Sequence, residues 1–328
     1  MRQKCNSEGC NAPKSLCKVL VSPNYQECQN WIDSNKELTS TRSAKISADQ
    51  NTIIPWSGME LTPDKLDLIS HRSTPLIVGI IGAANAGKTS YLGMIYTLLF
   101  NGHKFTKWNF AGSYTLIAWE AQAKGLKIGS NGKVSFPAAT PSTPDYYSLY
   151  HMALKADDSL YDIVFADSSG EVFTKWADDT EDIESDNAKW IYENSNSFIF
   201  FVDCEAIIKE RGRAKQKITQ LAGQIASNLG DRHVAIAWSK SDKIDAISPT
   251  IKEAIEQSLA ESFPLAKTFY ISNFSVDSQD ERCFVNNLAL AQDILQAMTK
   301  TKKLYITPTL PMSNDYFLNY HGRKDSKR

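Results

Sequence analysis

The sequence predicts a three-layer α/β/α fold built on a mainly parallel sheet. Three observations carry this expectation. Short apolar runs recur from about residue 74 to residue 300, with the length of strands buried on both faces. Segments with apolar residues at helical spacing separate them. The first run leads directly into a glycine-containing loop that opens a helical pattern, and strands alternating with helices in this way form parallel sheets covered on both sides.

The chain has 328 residues, room for one large α/β domain and a smaller appendage. Its 42% hydrophobic content supports a substantial core, and 22% charged residues is ordinary for a soluble protein. A net charge of −1 exerts no whole-chain pull on nucleic acid or anionic membrane, so no direct nucleic-acid contact is expected. No apolar run approaches the roughly 18 residues of a membrane span. Met1-Arg2-Gln3-Lys4-Cys5 opens without an apolar signal core, and the expected location is cytoplasmic. Four regions follow from composition: a Cys-rich module at 1–35, a polar linker at 36–73, the α/β domain at 74–305 and a polar tail at 306–328.

Taken in order, the first strand is Leu76–Ile81, a continuous apolar run. Gly82-Ala83-Ala84-Asn85-Ala86-Gly87-Lys88-Thr89 follows and fits G-x-x-x-x-G-K-[ST], the phosphate loop or P-loop. The chemistry demands these residue types. Several backbone N–H groups must converge on phosphate oxygens, so bulk is excluded and glycines stand where a Cβ would block the turn. The helix that follows turns its unpaired N–H groups and positive dipole end toward the same anion. Gly82, Ala84, Asn85, Ala86, Gly87, Lys88, Thr89 and Ser90 are the expected nucleotide contacts. Lys88 supplies a full charge to the β- and γ-phosphates, and the Thr89 hydroxyl suits Mg²⁺. Leu92, Ile95, Tyr96 and Leu99 continue the helix, and Asn101-Gly102 ends it.

Residues 161–166 read as the next buried strand, ending at Asp167, where a P-loop protein needs a carboxylate for its magnesium. Asp167-Ser168-Ser169-Gly170 gives D-x-x-G. A glycine at its end lets a backbone N–H approach a γ-phosphate, so Gly170 is expected to sense that group, and Glu171 could orient an attacking water. A second sensor is expected from Thr140 or Thr143 in the Pro-rich stretch 139–144. Thr143, nearer the strand expected at 146–154, is preferred. Further strands are expected at 198–202, 233–238 and 267–271. Helix faces are marked by Ile218, Leu221, Ala222, Ile225 and Leu229, by Ile251, Ala254, Ile255 and Leu259, and by Leu288, Ala291, Leu295 and Met298.

The strand at 233–238 leads into Ser239-Lys240-Ser241-Asp242. A carboxylate at Asp242 can accept two hydrogen bonds from guanine's ring N–H and exocyclic amine. Adenine has no such donor pair and would leave a buried acceptor unpaired, which is a basis for selectivity. The stem of Lys240 can lie over base and ribose, and Ser272-Asn273 after the last strand can also touch the base.

P-loop, D-x-x-G and S-K-x-D, in this order and each after an apolar strand, resemble the GTPases of the translation-factor-related (TRAFAC) class that includes Ras-like proteins. The stretches Pro55-Trp56-Ser57-Gly58, Phe110-Ala111-Gly112-Ser113-Tyr114-Thr115-Leu116 and Asp167-Ser168-Ser169-Gly170-Glu171-Val172-Phe173 resemble the bacterial double-GTPase group found in conflict and defence gene clusters, over about residues 53–300. The resemblance implies a GTP/GDP-controlled switch, dependent on Mg²⁺ and acting with a partner protein. Ser239 stands where the resembled element has Asn, and Glu171 is a second departure; they bear on base selectivity and hydrolysis rate. Two other readings stay open. One is a P-loop ATPase or phosphotransferase in which Asp242 does not read guanine. The other is a nucleotide-binding interaction module without turnover.

Four of the six cysteines lie in the first 28 residues: Cys5, Cys10, Cys17 and Cys28, followed by Trp31. In a reducing compartment such a cluster suggests Zn²⁺ rather than disulfides, although the spacing departs from paired C-x₂-C. So short a segment lacks a core of its own, and a metal would supply folding energy. The five histidines are read as structural or surface residues.

Overall fold

The structure is a computed structural model that describes residues 5, 7–14, 16–17, 24–34, 58–128, 134–180, 182–275 and 280–300. The chain divides into two compact units, Met1–Trp56 and Ser57–Arg328. Pro55-Trp56-Ser57, three of the four residues of one motif singled out above, and the polar tail lie outside the described residues.

In the first unit Cys5, Ala12, Cys17, Cys28 and Trp31 form a small buried cluster, with Cys10 and Tyr25 packed against it. The Tyr25 and Trp31 rings meet edge-on at 4.6 Å. A short helical segment at 29–34 begins just after Cys28, whose carbonyl accepts from the N–H groups of Trp31 and Ile32.

The second unit is built on a seven-stranded sheet. Its strands are β1 (Leu76–Ile81), β2 (Asn109–Gly112), β5 (Ser148–Ala156), β6 (Ser159–Asp167), β7 (Ser197–Asp203), β8 (His233–Ser239) and β9 (Lys267–Tyr270), in the order β2-β5-β6-β1-β7-β8-β9. Strand β1 pairs in parallel with β6 and β7, and β7-β8-β9 continue in parallel. Strand β5 runs antiparallel to β6, and the edge strand β2 antiparallel to β5. A two-stranded ribbon pairs β3 (Lys127–Ile128) with β4 (Val134–Ser135). The sheet is therefore mainly parallel, as expected, with one antiparallel flank.

The central runs are apolar on both faces because helices cover both faces. Val78 and Ile80 of β1, Ile163 and Phe165 of β6 and Ile199 and Phe201 of β7 pack with α1 (Lys88–Phe100), α2 (Leu116–Gly125) and α8 (Val285–Thr299). The alternate residues look the other way. There Phe198 stacks on Tyr192 of α4 (Asp186–Asn194), and Tyr192 in turn meets Trp176 of α3 (Gly170–Asp178). Phe200 meets Phe263, which ends α7 (Pro249–Ser262). Helix α6 (Gly212–Ser227) adds Ile218, Leu221, Ala222 and Ile225 as buried residues. No helix among the described residues is long and apolar enough to cross a membrane.

The stretch 110–116 finds its place on the antiparallel flank. Ser113 and Thr115 donate to the carbonyl of His151 in β5, as does the indole of Trp119. The Tyr114 N–H donates to His151 Nδ1 at 3.0 Å, so Nε2 carries the ring proton and donates to Asp162. Burial holds the His151 pKa below its usual range, against the pull of Asp162. His151 is thus a structural pin.

Gly223 lies exposed in the middle of α6 with open space where a Cβ would stand. Gly223→Ala should therefore stabilise the protein by about 0.5–1 kcal/mol, because it removes unfolded-chain freedom and improves helix propensity. Urea unfolding of the two proteins checks this, and a loss of stability would contradict the helix assignment.

Candidate functional site

The parallel strands β1, β6, β7, β8 and β9 all end at one edge of the sheet, and the loops beyond them line a cleft of about 750 Å³. Ligands of open α/β sheets occupy this edge as a rule. Every P-loop residue from Ala84 to Ser90 lines the cleft, together with Ser168, Ser169, Gly170 and Glu171 after β6 and Lys240 and Asp242 after β8. Ser272 and Asn273 after β9 complete that side. The sequence-predicted nucleotide residues, separated by up to about 190 positions, thus meet in one place; Gly82, the remaining P-loop residue, accepts from Lys88 through its carbonyl.

The P-loop takes its shape from two left-handed residues, Asn85 at φ 60° and Gly87 at φ 84°, the second acting as N-cap of α1. Left-handed backbone costs glycine nothing and is tolerated by asparagine. Lys88 begins the helix, buried, and its Nζ donates to the carbonyls of Gly82 at 3.0 Å and Ala83 at 3.1 Å. Burial pushes its pKa down to about 8, and the charge of Asp167 works in the opposite direction.

Asp167 is buried at the end of β6, and burial raises its carboxyl pKa against the stabilising effects of Lys88 and Thr89. Thr89 Oγ1 donates to Asp167 Oδ2 at 2.6 Å. Asp167 Oδ1 is buried with no hydrogen-bond partner among the described residues. An orphaned carboxylate oxygen beside a hydroxyl is the hard-oxygen donor set that Mg²⁺ prefers, so these residues fit that ion.

Gly170 follows at the first position of α3, with Ser169 as the N-cap accepting from the Glu171 N–H at 3.3 Å. A Cβ at Gly170 would lie 2.1 Å from the Ala83 carbonyl carbon and from the Ala84 nitrogen. Only glycine lets the D-x-x-G loop rest on the P-loop backbone in this way. Glu171 stands exposed at the cleft.

The two candidate threonines change places. Thr140 lines the cleft, and its hydroxyl lies 2.9 Å from that of Thr89. Thr143 is exposed and does not line the cleft; its carbonyl accepts from the Tyr146 N–H and from Asn187. The preference for Thr143 rested on closeness to the following strand. Residues 136–142 instead pass along the cleft, so the earlier threonine reaches the P-loop.

On the base side, Ser272 Oγ is 3.4 Å from Asp242 Oδ1 and donates to the Phe274 carbonyl at 2.7 Å. Lys240, left-handed at φ 53°, pairs through Nζ with Asp203 at 2.8 Å and Glu205 at 3.1 Å. Burial works against the Lys240 charge, but these carboxylates outweigh it and raise its pKa. Lys209, Lys243 and Lys240 together hold Glu205 down to about 2.

Sequence reasoning missed Asp203, Glu205 and Asn187. The first two follow an apolar strand as Asp167 does, a signal that could have been read. Asn187 carries no motif. It is fully buried, and its Nδ2 lies 3.2, 3.0 and 3.1 Å from the Thr143 carbonyl, the Tyr146 carbonyl and Ser168 Oγ, clasping the threonine loop to the D-x-x-G loop.

The cysteines come together by type more than by grouping. The Cys28 thiol pKa is lowered first by the Trp31 N–H and further by a hydrogen bond with Cys17, with Cys10 close enough to act on its charge. Yet among the described residues no three Cys, His, Asp or Glu side chains are grouped to hold one ion. Of the four cysteines expected to hold zinc, Cys17 and Cys28 form a hydrogen-bonded pair with Cys10 nearby.

The contact at Gly170 makes a direct prediction. Gly170→Ala should push the D-x-x-G loop off the P-loop and speed hydrogen exchange of amides 168–175 in the nucleotide-free protein by about tenfold or more, since a 2.1 Å contact cannot persist. Gly212→Ala, where a Cβ meets open space, should leave them unchanged. Equal exchange in Gly170→Ala and wild type would refute the close approach.

Among solved structures the chain is similar to the Methanosarcina barkeri Roco2 RocCORdC protein bound to GDP, with 17% identity and a TM-score of 0.37, over 68% of this chain and 49% of that one. It is also similar to a Plasmodium falciparum protein described as nucleolar GTP-binding protein 1, with 15% identity and a TM-score of 0.37, over 68% of this chain and 86% of that one. The chain thus spans about half of the Roco protein's length. No match is found among curated proteins. The family model of Double-GTPase 2 matches residues 76–297, from the first residue of β1 into the last turn of α8. That match takes in every sheet strand and loop that builds the cleft, and the chain belongs to the Double-GTPase 2 family of P-loop GTPases.

Proposed function

We propose that the chain is a Mg²⁺-dependent GTP-binding and GTP-hydrolysing switch. The observation that carries this reading is the contact of Thr89 with both Asp167 and Thr140 beneath the P-loop. It brings the start of α1, the end of β6 and the loop before β5 to a single point, next to the buried Lys88.

In this reading the polyphosphate lies along the P-loop amides, and Lys88 Nζ leaves the Gly82 and Ala83 carbonyls for phosphate oxygens. Thr89 and Asp167 would hold a magnesium ion, which would supply positive charge against the β- and γ-phosphates. Thr140 and the Gly170 N–H report whether a γ-phosphate is present, and Asn187 makes the two loops respond together. Glu171 orients the attacking water from the cleft rim. Asp242 accepts from the guanine edge, and Lys240, anchored by Asp203 and Glu205, lays its stem along base and ribose. A partner protein reads the ordered state of the loops, in a conflict, defence or signalling system of the kind the sequence resemblance implies.

The guanine reading is favoured over the ATPase or phosphotransferase reading because Asp242 and Ser272 face the cleft together. Asp242→Asn should weaken GTP binding by about tenfold or more and favour xanthine nucleotides, since an amide offers guanine a donor where an acceptor is needed. Competition titration with GTP, XTP and ATP checks this, and unchanged selectivity would return the choice to the ATPase reading. Single-turnover assays with Mg²⁺, alone and with a candidate partner, test hydrolysis; no turnover in either case would favour a nucleotide-holding module.

Zinc in the Cys-rich unit is a separate proposal, supported by residue type alone. Metal analysis of purified protein should give one zinc per chain, lost in Cys17→Ser. A metal-free, folded wild type would dismiss it.

A further inference from the structure

The phosphate loop and the base-side loops come from opposite ends of the domain, and something must fix the distance between them. In S-K-x-D the residue at the first position is Ser239. Its side chain is buried and turned into the sheet, with Oγ 3.4 Å from the Val202 carbonyl of the neighbouring strand. Ser239 therefore makes no bridge to the P-loop.

Asn273 does. Its Nδ2 donates to the Gly87 carbonyl at 2.9 Å across 186 positions of sequence. Gly87 O is also the acceptor for Tyr91 N–H in the first turn of α1, so the contact lands where the phosphate-binding helix begins. The mount of Asn273 is stiff. The Ser272 N–H donates to the Arg282 carbonyl, and the Ser272 carbonyl accepts from the buried Asn287 at 2.9 Å. Gly87 must also be small here, because a Cβ would stand 3.1 Å from Asn273 Nδ2. Asn273 lines the cleft with Asp242 and Ser272, and its Oδ1 is buried without a hydrogen-bond partner among the described residues. A half-buried amide that spends a donor on the P-loop and keeps a buried acceptor free is poised to hold something besides the fold.

We infer that Asn273 is a positioning residue that couples guanine recognition to the phosphate loop. It sets the spacing between Asp242 and the polyphosphate cradle, so that one nucleotide engages both. The proposal rests on the reading of the cleft as a guanine-nucleotide site. Linking two half-sites at a fixed distance makes the whole ligand bind more tightly than its parts allow, and a loosened strap removes that advantage first.

The test uses the full chain and its isosteric variant. Asn273→Asp places an acceptor against the Gly87 carbonyl, and Asn273→Ala removes the bridge. Both should weaken GTP and GDP by about 10–100-fold and speed nucleotide release to match. Guanosine and inorganic tripolyphosphate, each competed against a fluorescent GDP, should change by less than threefold. Melting temperature without nucleotide should stay within a few degrees of wild type. A residue that merely shaped its own loop would lose guanosine binding along with GTP, and that result would overturn the proposal. Wild-type GTP affinity in Asn273→Asp would overturn it as well. Failure of the wild type to bind GTP at all would instead remove the underlying reading, and this proposal with it.

Discussion

A buried lysine that lines the cleft and a buried aspartate behind it, joined to the cleft through Thr89, stand at the carboxyl edge of the sheet, and the rest of the site is arranged around their charges. Each alone would be costly, since an unpaired charge in a protein interior loses its hydration without recompense. Lys88 rests on two backbone carbonyls, and Asp167 on the Thr89 hydroxyl with one oxygen left over. The shift of Lys88 down to about 8 and the raised Asp167 express the same strain from its two sides.

Three asparagines, Asn187 and Asn287 buried and Asn273 half-buried, then tie separate loops together. Asn187 clasps the Thr140–Tyr146 loop to Ser168, Asn273 ties the base side to Gly87, and Asn287 steadies Ser272 from α8. In each the amide nitrogen is used on backbone or hydroxyl oxygens while Oδ1 lies buried without a partner among the described residues. Backbone carbonyls at strand ends need donors, and a side-chain amide can supply two from one atom. The loops are thereby held by a few specific hydrogen bonds rather than by a continuous core, which suits parts that respond to a ligand.

Much of this was legible in the sequence, for physical reasons that can be named. A strand buried on both faces must be apolar throughout, so β1, β7 and β8 announced themselves, and a phosphate loop must be glycine-punctuated, so residues 82–89 did too. The antiparallel edge was harder. Strand β2 is short and mostly exposed, without an apolar run to mark it. That Thr140 rather than Thr143 lines the cleft was not legible, because closeness along the chain says nothing of how a Pro-rich loop crosses a cleft. Asn187 and Asn273 were invisible as clasps, since their roles depend on carbonyls brought near by the fold and leave no periodicity. The cysteine spacing points to four ligands around a metal, and the folded segment buries three of the thiols with Ala12 and Trp31 in a small cluster. Thiols pack as small hydrophobes as readily as they ligate, and spacing cannot separate the two.

The central claim is that the turn from β1 into α1 grips a purine triphosphate through Lys88, with the base read at Asp242. Isothermal titration of the wild type and of Lys88→Ala with GTP, in the presence of magnesium, measures it most directly. The account predicts saturable one-to-one binding to the wild type and a loss of about a hundredfold or more in the variant, the expected size for removing a buried charge from a phosphate site. Absence of binding to the wild type, or undiminished binding to Lys88→Ala, would contradict it.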